Sequence, residues 1–355
     1  MLGISVYLSE QSADEQEENI KKMSAAGFKS IFTSLHIPED DPGLYAGRLK
    51  TLGSLARMHG MELFADISPG SLGHLGFTWD TASGLLEWGV SGLRLDYGIS
   101  EETIASLSKG MRVALNASTL TQENIDKLRS AGLSFSSAEA WHNFYPRPET
   151  GLDREEFNRR NDWLRSEGLQ VMAFIPGDGL KRGPLRLGLP TLEDHRGTSP
   201  FAAYLDLLGE PAVGKILIGD PSINDETLEQ FRSHRDGAIP LRARPATSDA
   251  RLLEQLESVQ TNRPDPARDV IRSAESRLEG LVDLPVEPLS AGPRPAGSIT
   301  VDNRLYGRYQ GEVQITKRDL TADEKVNVLG RVIDEDLPLL RHIGGGQPFR
   351  IRWVR

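Results

Sequence analysis

The chain has 355 residues, 38% apolar and 26% charged, a composition that suits a soluble globular protein and leaves no case for wholesale disorder. Its net charge of −10 argues against a duplex-binding surface, because neutralising phosphates requires clustered Lys and Arg. Cysteine is absent, which excludes disulfides, thiolate zinc sites and cysteine nucleophiles.

The opening MLGISVYLSEQSADEQEEN has no basic stretch ahead of its short apolar run, and no later segment reaches the length of a membrane span. The expected location is therefore the cytoplasm. From there short β-rich runs alternate with helical patterns that begin at Ser, Thr, Asp or Asn and end near Gly. Strands are expected at ISVYL, SIFTSLH, ELFADIS, GLRLDYG, RVALNAS, LSFSSAEAWHNFY, LQVMAFIPG and KILIGDP. The intervening helices include DEQEENIKKMSAAG, TASGLLEWG and DREEFNRRNDWLRSEG. Eight such units at a spacing of roughly 25 to 35 residues fit an α/β fold of the (β/α)8 TIM-barrel type, with a doubly wound sheet as the alternative.

The pattern changes near residue 238, giving an expected barrel over 1–237 and a smaller β-rich domain over 238–355. AIPLRARPATSDARLL reads as a connector and PVEPLSAGPRPAGS as a Pro/Gly-rich loop. SITVDN, YGRYQGEVQITKRDL, NVLGRVI and PFRIRWV read as the strands of the second domain.

In a TIM barrel the active site faces the C-terminal ends of the strands. Those ends place His36, Asp66, Asp96, Asn116, His142, Asn143, Asp178 and Asp220 at the rim. An Asp after a strand often caps the next helix or forms a turn, which is the competing reading for Asp178 and Asp220. Asp66 and Asp96 stand in apolar extended sequence, where a carboxylate needs a polar site or a partner such as Arg94. Paired carboxylates suit glycosidic cleavage, one acting as acid and the other as nucleophile, base or orienter of a substrate acetamide. The seven histidines form no close ligand pair, so a zinc site is not expected; a magnesium ion on Asp oxygens stays open. A serine-nucleophile elbow and a Walker A loop are both missing. Arg182, Arg186 and Arg196 follow the seventh strand, and Arg263, Arg268, Arg272 and Arg277 begin the second domain, either as solvated surface or as anion ligands.

HNFYPRPETGL, FIPGDG, GPLRLGLPTLEDHR, LIGDP, TNRPDPARDVIRSAESR and GSITVDNRLYGRYQGEVQI together resemble the bacterial MupG family of 6-phospho-N-acetylmuramidases, over nearly the whole chain. The resemblance implies a (β/α)8 barrel followed by a cyclophilin-like β-barrel domain. It also implies hydrolysis of 6-phospho-N-acetylmuramyl-N-acetylglucosamine to MurNAc 6-phosphate and GlcNAc during cell-wall recycling. No cofactor and no nucleic-acid or membrane partner is expected. On such a substrate Asp96 is the expected nucleophile, base or amide-orienting group, and Glu149 the general acid, desolvated by Pro146, Pro148 and aromatic neighbours. Asp66 and then Asp178 are the substitutes. Asn116, His142, Asn143, Tyr145, Arg147 and Arg182 are expected to contact the sugars, and Arg272, Ser273 and Arg277, with Arg182 as a further candidate, the phosphate or lactate. Asp153 and Arg186 depart from the family pattern around those motifs. The alternative is a phosphosugar-binding or regulatory protein without turnover; a metal-assisted isomerase or aldolase is disfavoured because no Lys ends a strand.

Overall fold

The eight extended runs of the N-terminal region pair in chain order, as shown by a computed structural model that describes residues 1–9, 12–35, 42–95, 98–278 and 280–354, leaving aside the side chains of Pro42, Arg277 and Leu278. β1 (Leu2–Ser5), β2 (Ser30–Ser34), β3 (Glu62–Ile67), β4 (Gly92–Leu95), β5 (Arg112–Asn116), β6 (Ala138–Trp141), β7 (Gln170–Ile175) and β8 (Val213–Ile218) form a closed parallel barrel in which β8 returns to β1. The helices between them are α1 (Ala13–Ala25), α2 (Tyr45–Met58), α3 (Pro69–His74), α4 (Glu101–Leu107), α5 (Gln122–Ser130), α6 (Arg154–Ser166), α7 (Pro200–Leu208) and α8 (Asp225–Ser233). Side chains cap most of them: Ser12, Ser68, Ser100, Thr121, Asp153 and Ser199 each accept an N–H from the first turn. Asp153, unusual at its place in the sequence, thus has a local role.

Two expectations for the barrel need correction. TASGLLEWG forms a 3-10 segment within Trp79–Leu86 rather than an α-helix, and Gly84 lies under Phe77, where an added Cβ would stand 2.7 Å from the ring. LSFSSAEAWHNFY is extended only over β6, because the Ser134 hydroxyl bonds those of Ser136 and Ser137 across a 3-10 turn at Phe135–Ser137.

A second compact unit, Glu229–Arg355, follows the first, Met1–Leu228. It contains β9 (Ile239–Pro245), α9 (Ala250–Leu256), β10 (Val259–Thr261), β11 (Val270–Arg272), α10 (Glu275–Leu278), β12 (Ser298–Asp302), β13 (Val313–Thr316), β14 (Val326–Val332) and β15 (Pro348–Trp353). The sheet order is β10-β15-β9-β14-β12-β13-β11, and a bridge between Asn262 and Ser273 brings its two edges together into a nearly closed barrel. The expected connector AIPLRARP is therefore a central strand, which corrects the sequence reading. Its Pro240 is tolerated because β9 bonds only β15 there and meets β14 from Ala243 onward. Among the described residues no helix is long and apolar enough to cross a membrane.

Candidate active site

Strand alternation builds the barrel mouth. Phe32, Phe64, Ala114, Trp141, Met172, Phe174 and Leu217 pack as one buried cluster inside the barrel. Side chains two residues further along a strand point the same way, one layer nearer the C-terminal end. That rule brings Ser34, Asp66, Asn116 and Asn143 above the aromatic layer. Asp66 lies opposite Arg94 in the β3–β4 register, and Arg94 Nη1 donates to its Oδ1 at 2.8 Å. Ser34 Oγ donates to the other carboxylate oxygen at 3.3 Å, while Arg94 Nη2 reaches across to Asn143 Oδ1. Arg94 is almost fully buried and Asp66 nearly so, at 6% and 17% side-chain exposure, so each is the other's main compensation for leaving water. Asn116 Oδ1 accepts the Ser118 N–H at 3.0 Å, and Ser118 Oγ meets the Tyr145 hydroxyl at 3.2 Å. Asp96 and His36 lie outside the described residues.

The same alternation overturns the expectation for His142. Trp141 fills the barrel interior, so the next side chain points outward against α6. His142 is wholly buried there, with Nε2 2.7 Å from Asn161 Oδ1 and its ring 4.8 Å from that of Phe157. Burial, opposed only in part by Asn161, pushes its pKa down to about 4. A neutral core histidine cannot touch a sugar in the mouth.

The loop after β6 is held from behind by a carboxylate that sequence reasoning missed. Glu193 accepts the Glu149 N–H at 2.9 Å, the Gly151 N–H at 2.7 Å and both Nε and Nη2 of Arg196 at 2.6 and 2.8 Å. The Arg196 contact above all, together with those N–H groups, holds the Glu193 carboxyl at about 2. Gly151 is required in that knot, since a Cβ would meet Glu193 atoms at 2.6 to 2.8 Å. Arg196 also donates to the Tyr145 and Gly188 carbonyls, tying the loop to the segment after β7. Glu149 sits at the tip with φ of 71°, a left-handed backbone uncommon outside glycine. Its side chain is exposed, as are Pro146 and Arg147, so the desolvating pocket expected around Glu149 is not formed in this conformation.

After β7 the carboxylates serve the backbone. Asp178 accepts from Asn224 N, Asn224 Nδ2 and Thr227 Oγ1 at 2.9, 2.9 and 2.6 Å, which fixes the start of α8. Asp220, 1% exposed, accepts the N–H groups of Gly177, Arg182 and Leu189. The Arg182 guanidinium lies over the rings of Tyr7 and Phe144, 4.4 and 5.7 Å from their centroids. Phe144 in turn packs on Phe32 and Phe174 of the interior cluster, which puts Arg182 above the barrel axis.

Of the arginines expected to bind an anion in the second unit, Arg263, Arg268 and Arg272 are occupied. Arg272 forks onto the buried Glu312 through Nε and Nη2 at 2.8 and 3.2 Å, and Ser273 Oγ accepts the Ser276 N–H. Arg263 and Arg268 pair with Asp265 and Asp269. The Arg277 side chain lies outside what the structure describes. Among the described residues no three acidic, His or Cys side chains are placed to hold a metal ion.

A closed parallel eight-stranded barrel with a polar ring above an aromatic interior, followed by a smaller β-barrel, defines a TIM-barrel protein with its candidate site at the strand C-termini. Family models for the N-terminal and C-terminal parts of 6-phospho-N-acetylmuramidase match residues 2–233 and 239–352, so the chain belongs to that family. It is similar over 99% of its length to a conserved Enterococcus faecalis protein of unknown function, with 45% identity, a TM-score of 0.91 and 96% of that chain covered. An uncharacterised B. cereus protein is also similar, at 25% identity and a TM-score of 0.76, with 99% of each chain covered. No curated protein matches.

Proposed function

We propose that this protein is a cytoplasmic glycoside hydrolase that cleaves 6-phospho-N-acetylmuramyl-N-acetylglucosamine into MurNAc 6-phosphate and GlcNAc during cell-wall recycling. The observation that carries the reading is the mouth ring. Asp66, fixed by Arg94 and Ser34, stands with Asn143 and Asn116 above a floor of Phe32, Phe144, Phe174 and Trp141. Aromatic rings below and fixed polar groups around them match a sugar, which has apolar C–H faces and an equatorial rim of hydroxyls.

In this proposal Asp66 or Asp96 supplies the nucleophile, the base or the carboxylate that orients the 2-acetamido group, and Glu149 protonates the leaving oxygen. Glu149 must then exchange its exposed setting for a drier one when substrate covers the loop tip. Asn116, Asn143, Tyr145 and Arg147 contact sugar hydroxyls or amide. Asp178 is removed from the catalytic set, because its oxygens already hold α8. A functional boundary ahead of β9, between residues 237 and 238, completes the proposal.

Release of GlcNAc from the phosphorylated disaccharide, followed alongside the unphosphorylated one, tests the activity. Binding without release would replace the hydrolase with a phosphosugar-binding protein. Asp96→Asn and Glu149→Gln are each expected to lower turnover by ~10²- to 10⁴-fold with folding intact. A fully active variant removes that residue from the mechanism.

A further inference from the structure

Several arginines in the barrel unit face carboxylates. Arg94 pairs with Asp66, Arg112 with Glu62 and Glu139, Arg154 with Asp194 and Asp206, and Arg196 with Glu193. Arg182 differs. It is half-buried, yet among the described residues no carboxylate pairs with its guanidinium. Asp220, which takes the Arg182 backbone N–H at 3.1 Å, is also committed to the N–H groups of Gly177 and Leu189. The backbone of Arg182 is therefore pinned, while its charge is left for something else.

The two rings beneath the guanidinium explain how it is presented. Tyr7 is 1% exposed and its hydroxyl donates to the Gly219 carbonyl at 2.6 Å, so its ring is fixed. Phe144 rests on Phe32 and Phe174 with centroids 6.3 and 5.1 Å away. Aromatic faces hold a guanidinium by its flat side and leave the N–H edge free. An edge with parallel N–H groups is the donor set that a phosphate or carboxylate accepts in pairs. The guanidinium also meets the Tyr7 hydroxyl, a neutral group that leaves its charge uncompensated; a half-buried cation without a carboxylate partner is costly, and an incoming anion removes that cost.

We infer that Arg182, seated over Tyr7 and Phe144 at the barrel mouth, forms an oxyanion subsite that reads a charged substituent of the ligand. The inference rests on the hydrolase reading only for the source of that substituent, which on the proposed disaccharide is the 6-phosphate or the lactyl carboxylate. It moves anion recognition away from Arg272, whose fork is held by Glu312.

The test compares the full-length protein with its Arg182→Gln and Arg182→Lys variants by isothermal titration calorimetry. Three probes separate the sources: GlcNAc 6-phosphate carries phosphate without lactate, MurNAc carries lactate without phosphate, and GlcNAc carries neither. Arg182→Gln is expected to weaken one charged sugar by ~10- to 100-fold, the loss typical of a charged hydrogen-bond pair, with GlcNAc unchanged. Arg182→Lys should recover part of the loss, since a point charge replaces the fork. The charged sugar that suffers names the group. Equal affinity of Arg182→Gln and the parent for both charged sugars overturns the subsite, as does an equal loss for all three probes, or a parent that binds neither charged sugar more tightly than GlcNAc. GlcNAc release by the parent is measured separately, so Arg182-dependent binding without release rejects the hydrolase and leaves the subsite standing.

Discussion

The two ends of the barrel interior are both charged, but they are finished differently. At the N-terminal end Lys215, fully buried, contacts Glu62 and Glu139, and Arg112 reaches the same two carboxylates. Trp141 Nε1 donates to Glu139 at 2.7 Å, and the Lys215 ammonium lies 4.6 and 5.1 Å from the ring centroids of Phe64 and Trp141. Two cations meet two anions, and the set closes on itself. At the C-terminal end Asp66 and Arg94 are also matched, but Arg182 meets no carboxylate among the described residues, and Asn143 and Asn116 stand beside them. The aromatic layer of Phe32, Phe64, Trp141 and Phe174 separates the two. Charge inside a barrel is thus no mark of function by itself; what separates the two ends is whether the described charges close on one another.

This contrast breaks most directly at Asp66. Asp66→Asn, which keeps the shape and weakens the pair with Arg94, is expected to reduce turnover of the phosphorylated disaccharide by ~10²- to 10⁴-fold if Asp66 acts in the chemistry. An unchanged kcat would make the mouth pair as structural as the base. Lys215→Met is the counterpart. Removing the shared cation from two buried carboxylates should lower unfolding stability by about 3–5 kcal/mol in urea titrations, with kcat of the folded fraction unaffected. Replacing Glu62 and Glu139 by Gln in the same variant should return part of that stability, because fewer buried charges then lack a partner.

Acid acts on the outward face of the rim strand. His142 has a folded pKa near 4 against an ordinary value of 6.5, so the unfolded chain takes up a proton first as pH falls. Stability from this residue should be steady above 6.5 and decline between 6.5 and 4, by up to about 3 kcal/mol, and His142→Gln should flatten that part of the profile. A profile identical in the two proteins would show that His142 is not carried neutral in the core. Glu193 has the opposite sign: its carboxyl is held at about 2, so its stabilisation is present above the ordinary carboxylate range and is lost as pH falls through about 2. The smallest effect is expected from Glu193→Gln, a loss of about 1–2 kcal/mol with earlier proteolysis at Glu149 in limited digestion, since the loop tip then loses its anchor.

Much of the site is legible in the amino-acid sequence. Asp66 stands out as an acid in the apolar run ELFADIS, and Arg94 is the partner that the sequence offers it. Asn143 falls at the rim together with His142, and the sequence does not separate the two. Their parity depends on which residue of AEAWHN enters the core, and Trp141 settles it. Arg272 is as plausible an anion ligand as Arg182 until β13 brings Glu312 against it from 40 residues away. Tyr7, Phe144 and Glu193 give no signal as functional neighbours, because their meaning lies in what three separate loops bring to one place.

Sequence by itself determined the periodicity: eight βα units, their caps, the change of pattern near residue 238 and the motifs shared with the 6-phospho-N-acetylmuramidase family. These are local properties, fixed by side-chain shape, hydropathy and hydrogen bonding within a few residues. Only the tertiary structure decided which charges are satisfied. Pairing depends on distances between residues remote in the chain, and closing the barrel is what set Arg94 against Asp66, Lys215 against Glu62 and Glu139, and left Arg182 over two rings with no carboxylate partner among the described residues.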